Sequence, residues 1–272
     1  MEGQTDESDE LDVLVLVKAY PNPSKTVAEA ACIAGIDRQR RFVRLYPVPF
    51  RDLENEQQFQ KYQWIRVKAR KARSDSRPET YRPDLASIRV LGDPLPTIDD
   101  WATRREAVLP ARVQSLCTLL AEQKRTRRSL GMFQPAEVLD FTWEPEASPV
   151  WTPEERSLLT QQDLFLTRER KLLEKVPYAF RYRFRCVDCK ARKGHHLKIV
   201  DWELAQQYRR LVRAELSEGV ALRKLRDNWL GNLCGPKRDT SFFVGNMQAF
   251  PNSFLVLGVF WPPKPIQLGL FR

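Results

Sequence analysis

From Tyr178 onward the side chains alternate strictly, with Tyr178, Phe180, Tyr182, Phe184 and Cys186 on one side and Ala179, Arg181, Arg183 and Arg185 on the other. A period of two belongs to a strand, so this stretch carries an aromatic face and an arginine face, and rings in such a row demand burial. A basic connection rich in turn formers, Asp188 to Gly194, leads to His195-His196-Leu197-Lys198-Ile199-Val200. Its β-branched end again favours a strand, and the two strands most simply form a hairpin. Asp201 then stands where a helix N-cap belongs, ahead of Trp202, Leu204, Tyr208, Leu211 and Val212 at three- and four-residue spacings. Strand, turn, strand and helix follow one another here, which commits the C-terminal half to an α+β arrangement.

The rest of that half extends the pattern. Thr152-Pro153-Glu154-Glu155 reads as an N-cap followed by a proline at the first helical position, opening a helical stretch through Leu173. Beyond Gly219 a further helix buries Leu222, Leu225 and Trp229, and the runs TSFFVGN and SFLVLGVFWPP are strands by composition. The order is therefore β-hairpin, two helices, β-hairpin.

The first half reads differently. Leu11–Val17 is a β-branched run expected to be buried on both faces, and a Pro-Asn-Pro turn at 21–23 closes it. Ala28–Ile36 is small and apolar, suiting a tightly packed strand or a short helix. Arg41–Tyr46 alternates Phe42, Arg44 and Tyr46 against Arg41, Val43 and Leu45 and ends at Pro47 and Pro49. Across Gln63–Arg73, Ile65, Val67 and Ala69 point one way while Trp64, Arg66, Lys68 and Arg70 point the other, a half-buried strand with a ladder of cations. Ser87–Leu91 adds one more strand. Several short strands with few helix signals predict a small OB-like Greek-key β-barrel. From Ile98 the period turns helical, with Asp99 or Asp100 as cap and Val113, Leu116, Cys117 and Leu120 as apolar stripe, up to the basic run KRTRR at 124–128. A strand at Val138–Trp143 follows before Pro145, Pro149 and Pro153. The expected division is an acidic disordered tail over 1–10, an OB-like barrel domain with a helical insertion over 11–145, and an α+β domain over 146–272, with a second OB-like barrel as the alternative there.

Charge and cysteine usage then narrow the partners. Lys plus Arg outnumber Asp plus Glu by 45 to 35, and several of the acids crowd into the first twelve residues, so the folded body is more basic than its net +10 and a polyanion is its natural partner. The apolar runs Val13–Val17 and Phe254–Trp261 fall far short of the roughly 20 residues that span a bilayer, and the acidic N-terminus is unlike a signal region, so no membrane partner and a cytoplasmic location are expected. Five cysteines with one close pair do not make a disulfide framework, which favours a reducing compartment.

The opening VLVLVKAYPNPSK with ACIAGI, and the later VPYAFRYRF, HHLKIVDWE, FFVGN and FLVLGVFWPPK, resemble a bacterial family described as dual OB-containing domain proteins, thought to occur among prokaryotic immune systems. The resemblance covers most of the chain in order. It implies two OB-like barrels and a nucleic-acid-sensing or guiding role in defence.

Three constellations could carry chemistry. Cys186-Val187-Asp188-Cys189 with His195 has the spacing to grip one Zn²⁺, Cys234 closing the site from across the fold. His195 or His196 with Asp201 and Glu203 could hold a divalent ion for phosphodiester hydrolysis, although Asp201 is already explained as an N-cap and Glu203 as an acid in the first helical turn. The third set is basic and aromatic: Trp64, Arg66, Lys68, Arg70 and Arg73 in the first half, and Arg181, Arg183, Arg185, Lys190, Arg192 and Lys193 in the second. Cations there would neutralise phosphates while rings stack bases. Gly-rich phosphate loops, a Gly-x-Ser-x-Gly elbow and a dinucleotide fingerprint are missing from the sequence. The sequence thus predicts a non-enzymatic nucleic-acid-binding sensor or accessory subunit, its ligand DNA or RNA, single-stranded or guide-like, and its further partner a larger effector protein. A metal-dependent nuclease and a scaffold docking an acidic protein are the other two classes.

Overall fold

The computed structural model describes residues 8–160, 172–214 and 217–265. The first part of the chain gives β1 (Asp9–Lys18), β2 (Asn22–Pro23), β3 (Glu29–Ile36), β4 (Phe42–Val48), β5 (Trp64–Lys71), β6 (Thr80–Pro83) and β7 (Arg89–Leu91). Strands β1, β3, β4, β6 and β5 hydrogen-bond in that order, and β5 returns to β1, closing a five-stranded barrel. Val13 and Val15 fill its interior with Ile33, Val43, Ile65 and Val67. Leu14 and Leu16, on the opposite face of β1, are buried against Trp101, Met132, Phe243 and Phe260 outside the barrel. Both faces of β1 are therefore covered, as its unbroken β-branched run requires. Gly35 lies opposite Val15, where a Cβ would meet the Leu14 carbonyl oxygen at 2.2 Å, so this close approach of β3 to β1 demands glycine.

Two expectations in this region are corrected. Asp9 and Glu10, assigned to a disordered tail, belong to β1, because they pair in register with Ala69 and Lys68 on β5; residues 1–7 of that tail lie outside the described residues. The strand expected to stop at Pro47 continues to Val48.

Next come α1 (Ile98–Val108), α2 (Leu116–Thr126), β8 (Leu130–Phe133) and β9 (Glu137–Pro145). Neither Asp99 nor Asp100 caps α1. Both occupy left-handed backbone with Trp101, at φ 49°, 50° and 65°, and this turn delivers the Trp101 ring into the core. Ser115 caps α2, its Oγ accepting from the Thr118 amide at 3.1 Å. The second half continues with α3 (Pro153–Thr160), β10 (Tyr178–Arg185), β11 (His195–Lys198), α4 (Trp202–Arg213), α5 (Glu218–Arg226), β12 (Ser241–Met247) and β13 (Phe250–Phe260). Thr152 and Glu155 make a reciprocal capping box at the start of α3, with bonds of 3.2 and 2.9 Å. The helical continuation expected to Leu173 falls largely on 161–171, outside the described residues.

Among the described residues the second half is two antiparallel three-stranded sheets, β11-β10-β9 and β13-β12-β8, joined by an Ile199–Val256 bridge. The architecture is α+β: a closed barrel, then strands with a few helices. Strands β8 and β9, which the sequence division placed with the barrel, hydrogen-bond to β12 and β10 of the second half. The two sheets face each other across an aromatic core in which Tyr182 stacks on Phe242 at 4.8 Å and Phe141 on Phe180 at 5.7 Å. The alternating rings of β10 are that core, with Tyr182 and Phe184 fully buried.

Arg44 joins the two halves. It is 2 % exposed, and its guanidinium donates to Thr80 Oγ1 (3.1 Å) on the barrel and to Ser129 Oγ (2.7 Å) and the Ser129 carbonyl (3.2 Å) just before β8. Glu79 caps the arrangement by accepting from the Ser129 amide and hydroxyl, each at 2.8 Å. Among the described residues no helix is long and apolar enough to cross a membrane.

Candidate functional site

The turn between β10 and β11 brings chemistry-bearing residues together. Register pairs Phe184 with His195 and Arg183 with His196, so the two histidines leave the hairpin on opposite faces. His195 goes to the thiol side. Its Nε2 lies 3.4 Å from Cys186 Sγ, 3.3 Å from Cys189 Sγ and 3.5 Å from the Sγ of Cys117, which is 3.6 Å from Cys186 Sγ. The four donor atoms lie within 4.8 Å of one another, and the set could hold a metal ion. Asp188 (φ 51°) and Gly194 (φ 75°) supply the left-handed backbone that folds the loop, and a Cβ on Gly194 would meet the Phe184 carbonyl at 2.6 Å. Burial pushes the Cys186 thiol up to about 11 and depresses the His195 imidazole. The neutral imidazole this favours is the ligating form, and a cation would ionise the thiols.

Cys186, Cys189 and His195 are thus brought together as their spacing predicts, but the fourth residue is Cys117 of α2 and not Cys234. Cys234 turns to the Tyr182 hydroxyl at 3.7 Å, and burial pushes its thiol up to about 12. Cys117 was read as one member of an apolar helical stripe, and nothing local to it marks a ligand. The only sequence signal is a cysteine pair and a histidine whose fourth donor has to come from elsewhere in the chain.

The nuclease constellation is not assembled. His195 faces the thiols, and His196 on the other face meets Thr142 Oγ1 at 3.0 Å. Asp201 caps α4, accepting from the Glu203 amide at 2.7 Å. Its carboxylate also pairs with Lys61 at 3.7 Å, and Lys61 reaches Glu203 at 2.9 Å. Burial pushes Asp201 up to about 6 despite that cation. Lys61 is a partner the sequence did not reveal.

The basic residues divide into two groups. On β10, Arg181, Arg183 and Arg185 face Glu144, Asp140 and Glu137 across the strand pair to β9, at 2.7, 3.7 and 3.5 Å. On β5, Arg66 makes a two-pronged contact with Asp12 (2.8 and 3.2 Å), and Arg38 stacks on Trp64 at 3.7 Å. The guanidinium of Arg66, joined by that of Arg38, holds Asp12 below the usual carboxylate range. The anion that such cation ladders call for is therefore supplied from within. Lys190, Arg192 and Lys193 are exposed on the loop that carries the thiols. Lys68 and Arg70 line a shallow groove with Arg82. Arg70 and Arg73 also line a deeper cleft of about 460 Å³ beside Tyr46, Lys71, Arg77 and Arg82.

No curated protein matches the chain. Residues 9–110 match the family described as domain of unknown function DUF8758, and residues 112–272 match the one described as domain of unknown function DUF8757. The meeting point of the two matches, between the end of α1 and the start of α2, leaves the closed barrel on one side and the metal-ligand set on the other. Since the second match spans more than half its length, the chain belongs to the DUF8757 family.

Proposed function

We propose that the chain is a nucleic-acid-binding module whose barrel is of the OB kind. Counting only its five closed strands in chain order, they lie first, second, third, fifth, fourth and back to first, with the third and fifth parallel. Barrels of this five-stranded Greek-key kind hold oligonucleotides on the second and third strands and on the loops after the first and fourth. The observation that carries the reading is the 460 Å³ cleft, because part of its lining comes from those places, Thr26 after the first strand, Tyr46 on the third, and Arg73, Asp75 and Arg77 after the fourth, with Arg70, Lys71, Thr80 and Arg82 of the fourth and fifth strands beside them. The described lining carries five cations, Arg70, Lys71, Arg73, Arg77 and Arg82, and one carboxylate, Asp75, which Arg77 grips at 2.6 Å. The Tyr46 ring, 41 % exposed, is available for a base to stack on. A single strand, DNA or RNA, would lie there by its backbone. The role of sensor or accessory subunit in a prokaryotic defence system, beside a larger effector, belongs to the same proposal and is supported by the resemblance of the opening and closing strands to the dual OB-containing family.

The metal assigned to Cys117, Cys186, Cys189 and His195 is Zn²⁺. With Zn–S of about 2.3 Å and Zn–N of about 2.0 Å, a tetrahedral site has S···S edges of about 3.8 Å and S···N edges of about 3.5 Å. The Cys117–Cys186 separation of 3.6 Å and the three S···N separations of 3.3–3.5 Å are close to these, and all the donor atoms lie within 4.8 Å of one another. Four protein ligands leave no open position, so the ion would be structural and not catalytic.

Anisotropy of a labelled single strand against salt tests the nucleic-acid reading. Replacing Arg70, Arg73 and Arg82 by Ala should weaken binding and lower the slope of log K on log salt by about 0.7 per lost phosphate contact. Arg66→Ala should leave the slope unchanged, because that side chain lies outside the cleft lining. An unchanged slope in the triple variant, or binding that vanishes at physiological salt, would overturn the proposal and favour the acidic-protein scaffold.

A further inference from the structure

A second cleft, of about 660 Å³, opens where the barrel meets α1, α4 and the end of β13. Its volume lies within the roughly 300–1,000 Å³ typical of small-ligand sites. Two chemistries meet in its wall. One is cationic: Lys18, Lys61, Arg104 and Arg210 against the single carboxylate of Glu203. Lys61 is neutralised by Asp201 and Glu203. The other three make no ion pair with a carboxylate among the described residues. Lys18 donates to the Phe59 carbonyl and lies 5.1 and 4.8 Å from the Phe50 and Phe59 ring centres. Arg104 donates to the Leu95 carbonyl at 2.7 Å and covers the Tyr62 ring at 4.1 Å. Arg210 is exposed at the rim.

The other chemistry is aromatic. Trp202 and Trp261 are half-buried in this wall, which Tyr62 and Trp101 also line, and Arg209 and Arg238 lie over their rings at 5.1 and 4.8 Å. The carboxamides of Gln60 and Gln206 complete it with groups that both donate and accept. Lys18 is held in a poor environment for its charge, burial drawing its pKa down to about 8. An arriving anion would relieve that cost. Concave shape, unpaired cations and incompletely covered indoles call for a ligand that is anionic at one end and flat and aromatic at the other.

We infer that this cleft binds a nucleoside phosphate, the phosphate among Lys18, Arg104 and Arg210 and the base against Trp202 and Trp261. The inference goes beyond the strand-binding reading and does not depend on it, since a mononucleotide needs no path along the barrel. The same chemistry could arrive as a free nucleotide or as the phosphorylated end of a strand.

Calorimetric titration of the whole chain with AMP, GMP, CMP and UMP, and with adenosine and inorganic phosphate, tests it. At least one nucleotide should bind one-to-one, at least tenfold more tightly than adenosine or phosphate. Arg210→Glu, at an exposed position, should weaken that binding about tenfold or more. Trp202→Ala, checked for folding by circular dichroism, should do the same, as expected for the loss of one stacking ring. Competition by a 5′-phosphorylated oligonucleotide but not by its 5′-hydroxyl form would assign the ligand to a strand end, and competition by neither would assign it to a free nucleotide. No binding of any of the four at about 1 mM, phosphate binding as tightly as the nucleotides, or an unaffected Arg210→Glu variant would overturn the inference. Failure of the strand titration alone would leave it standing.

Discussion

Lys18 shows how one residue can work against the fold. Its amine is largely enclosed by Phe50 and Phe59, and burial depresses its pKa from the ordinary 10.5 to about 8. A lysine whose folded pKa is depressed contributes stability above pH 10.5, and that contribution is lost as pH falls through 8. At pH 7 the charge therefore costs on the order of 1–3 kcal/mol, taking 1.36 kcal/mol per pKa unit and allowing for partial exposure. Lys18→Met keeps most of the stem and removes the charge. It should be the more stable protein at pH 7, and its advantage over the wild type should shrink between pH 8 and 10.5. The comparison has to be a difference, because Tyr62, pushed up to about 12 by burial, titrates with the opposite sign at higher pH. A variant less stable than wild type in chemical denaturation at pH 7 would refute this account. Asp201 shows the opposite case. The cap to Glu203 is the one that the sequence reading describes, but the same carboxylate also answers Lys61, so Asn at this position would keep the cap and leave the buried ammonium to Glu203 alone.

At the scale of elements, the cluster of Cys117, Cys186, Cys189 and His195 joins α2 to the β10–β11 hairpin. Elemental analysis should find about one zinc per chain. Cys117→Ser should lose it, while Cys234→Ser should retain it, since Cys234 faces Tyr182 and not the cluster. Chelation should speed amide exchange in α2 and β11 together, because the clip joins exactly those two elements to β10 and the rest of the core is unaffected. Zinc retained by Cys117→Ser and lost from Cys234→Ser would reverse the assignment. The hairpin half of this set was legible: alternation puts Cys186 on the ring face, and the turn chemistry brings Cys189 and His195 back to it. The helix half was not, because a cysteine within Val113, Leu116, Cys117 and Leu120 looks like one more apolar contact until α2 is laid across the sheet.

For the whole molecule, the outer face of β1 and the strands β8, β12 and β13 share one core, and Arg44 spans it. Arg44→Ala would leave Thr80 Oγ1, Ser129 Oγ and the Ser129 carbonyl, all buried, without their donor, at a cost of about 3 kcal/mol or more. Calorimetry should show a single transition in the wild type, lowered in the variant by about 2–4 °C per kcal/mol. Two well-separated wild-type transitions would show that the shared core does not couple the halves.

The sequence by itself determined what repeats within a few residues: the two-residue alternation of β5 and β10, the unbroken apolar run of β1, the caps at Thr152 and Asp201, and the α+β class that follows from their order. Periodicity and capping are local, so they survive without the rest of the fold. Tertiary structure alone decided which charges meet. Glu137, Asp140 and Glu144 became partners of Arg185, Arg183 and Arg181 only once β9 paired with β10, and Asp12 reached Arg66 only when the barrel closed. The pairing of distant strands likewise selected Cys117 over Cys234, buried Arg44 on a strand whose alternation does not say which face is covered, and gathered Lys18, Arg104, Trp202 and Trp261 around one cleft. Such contacts depend on strand register and helix placement across separations of 37 residues and more, and no local pattern records them.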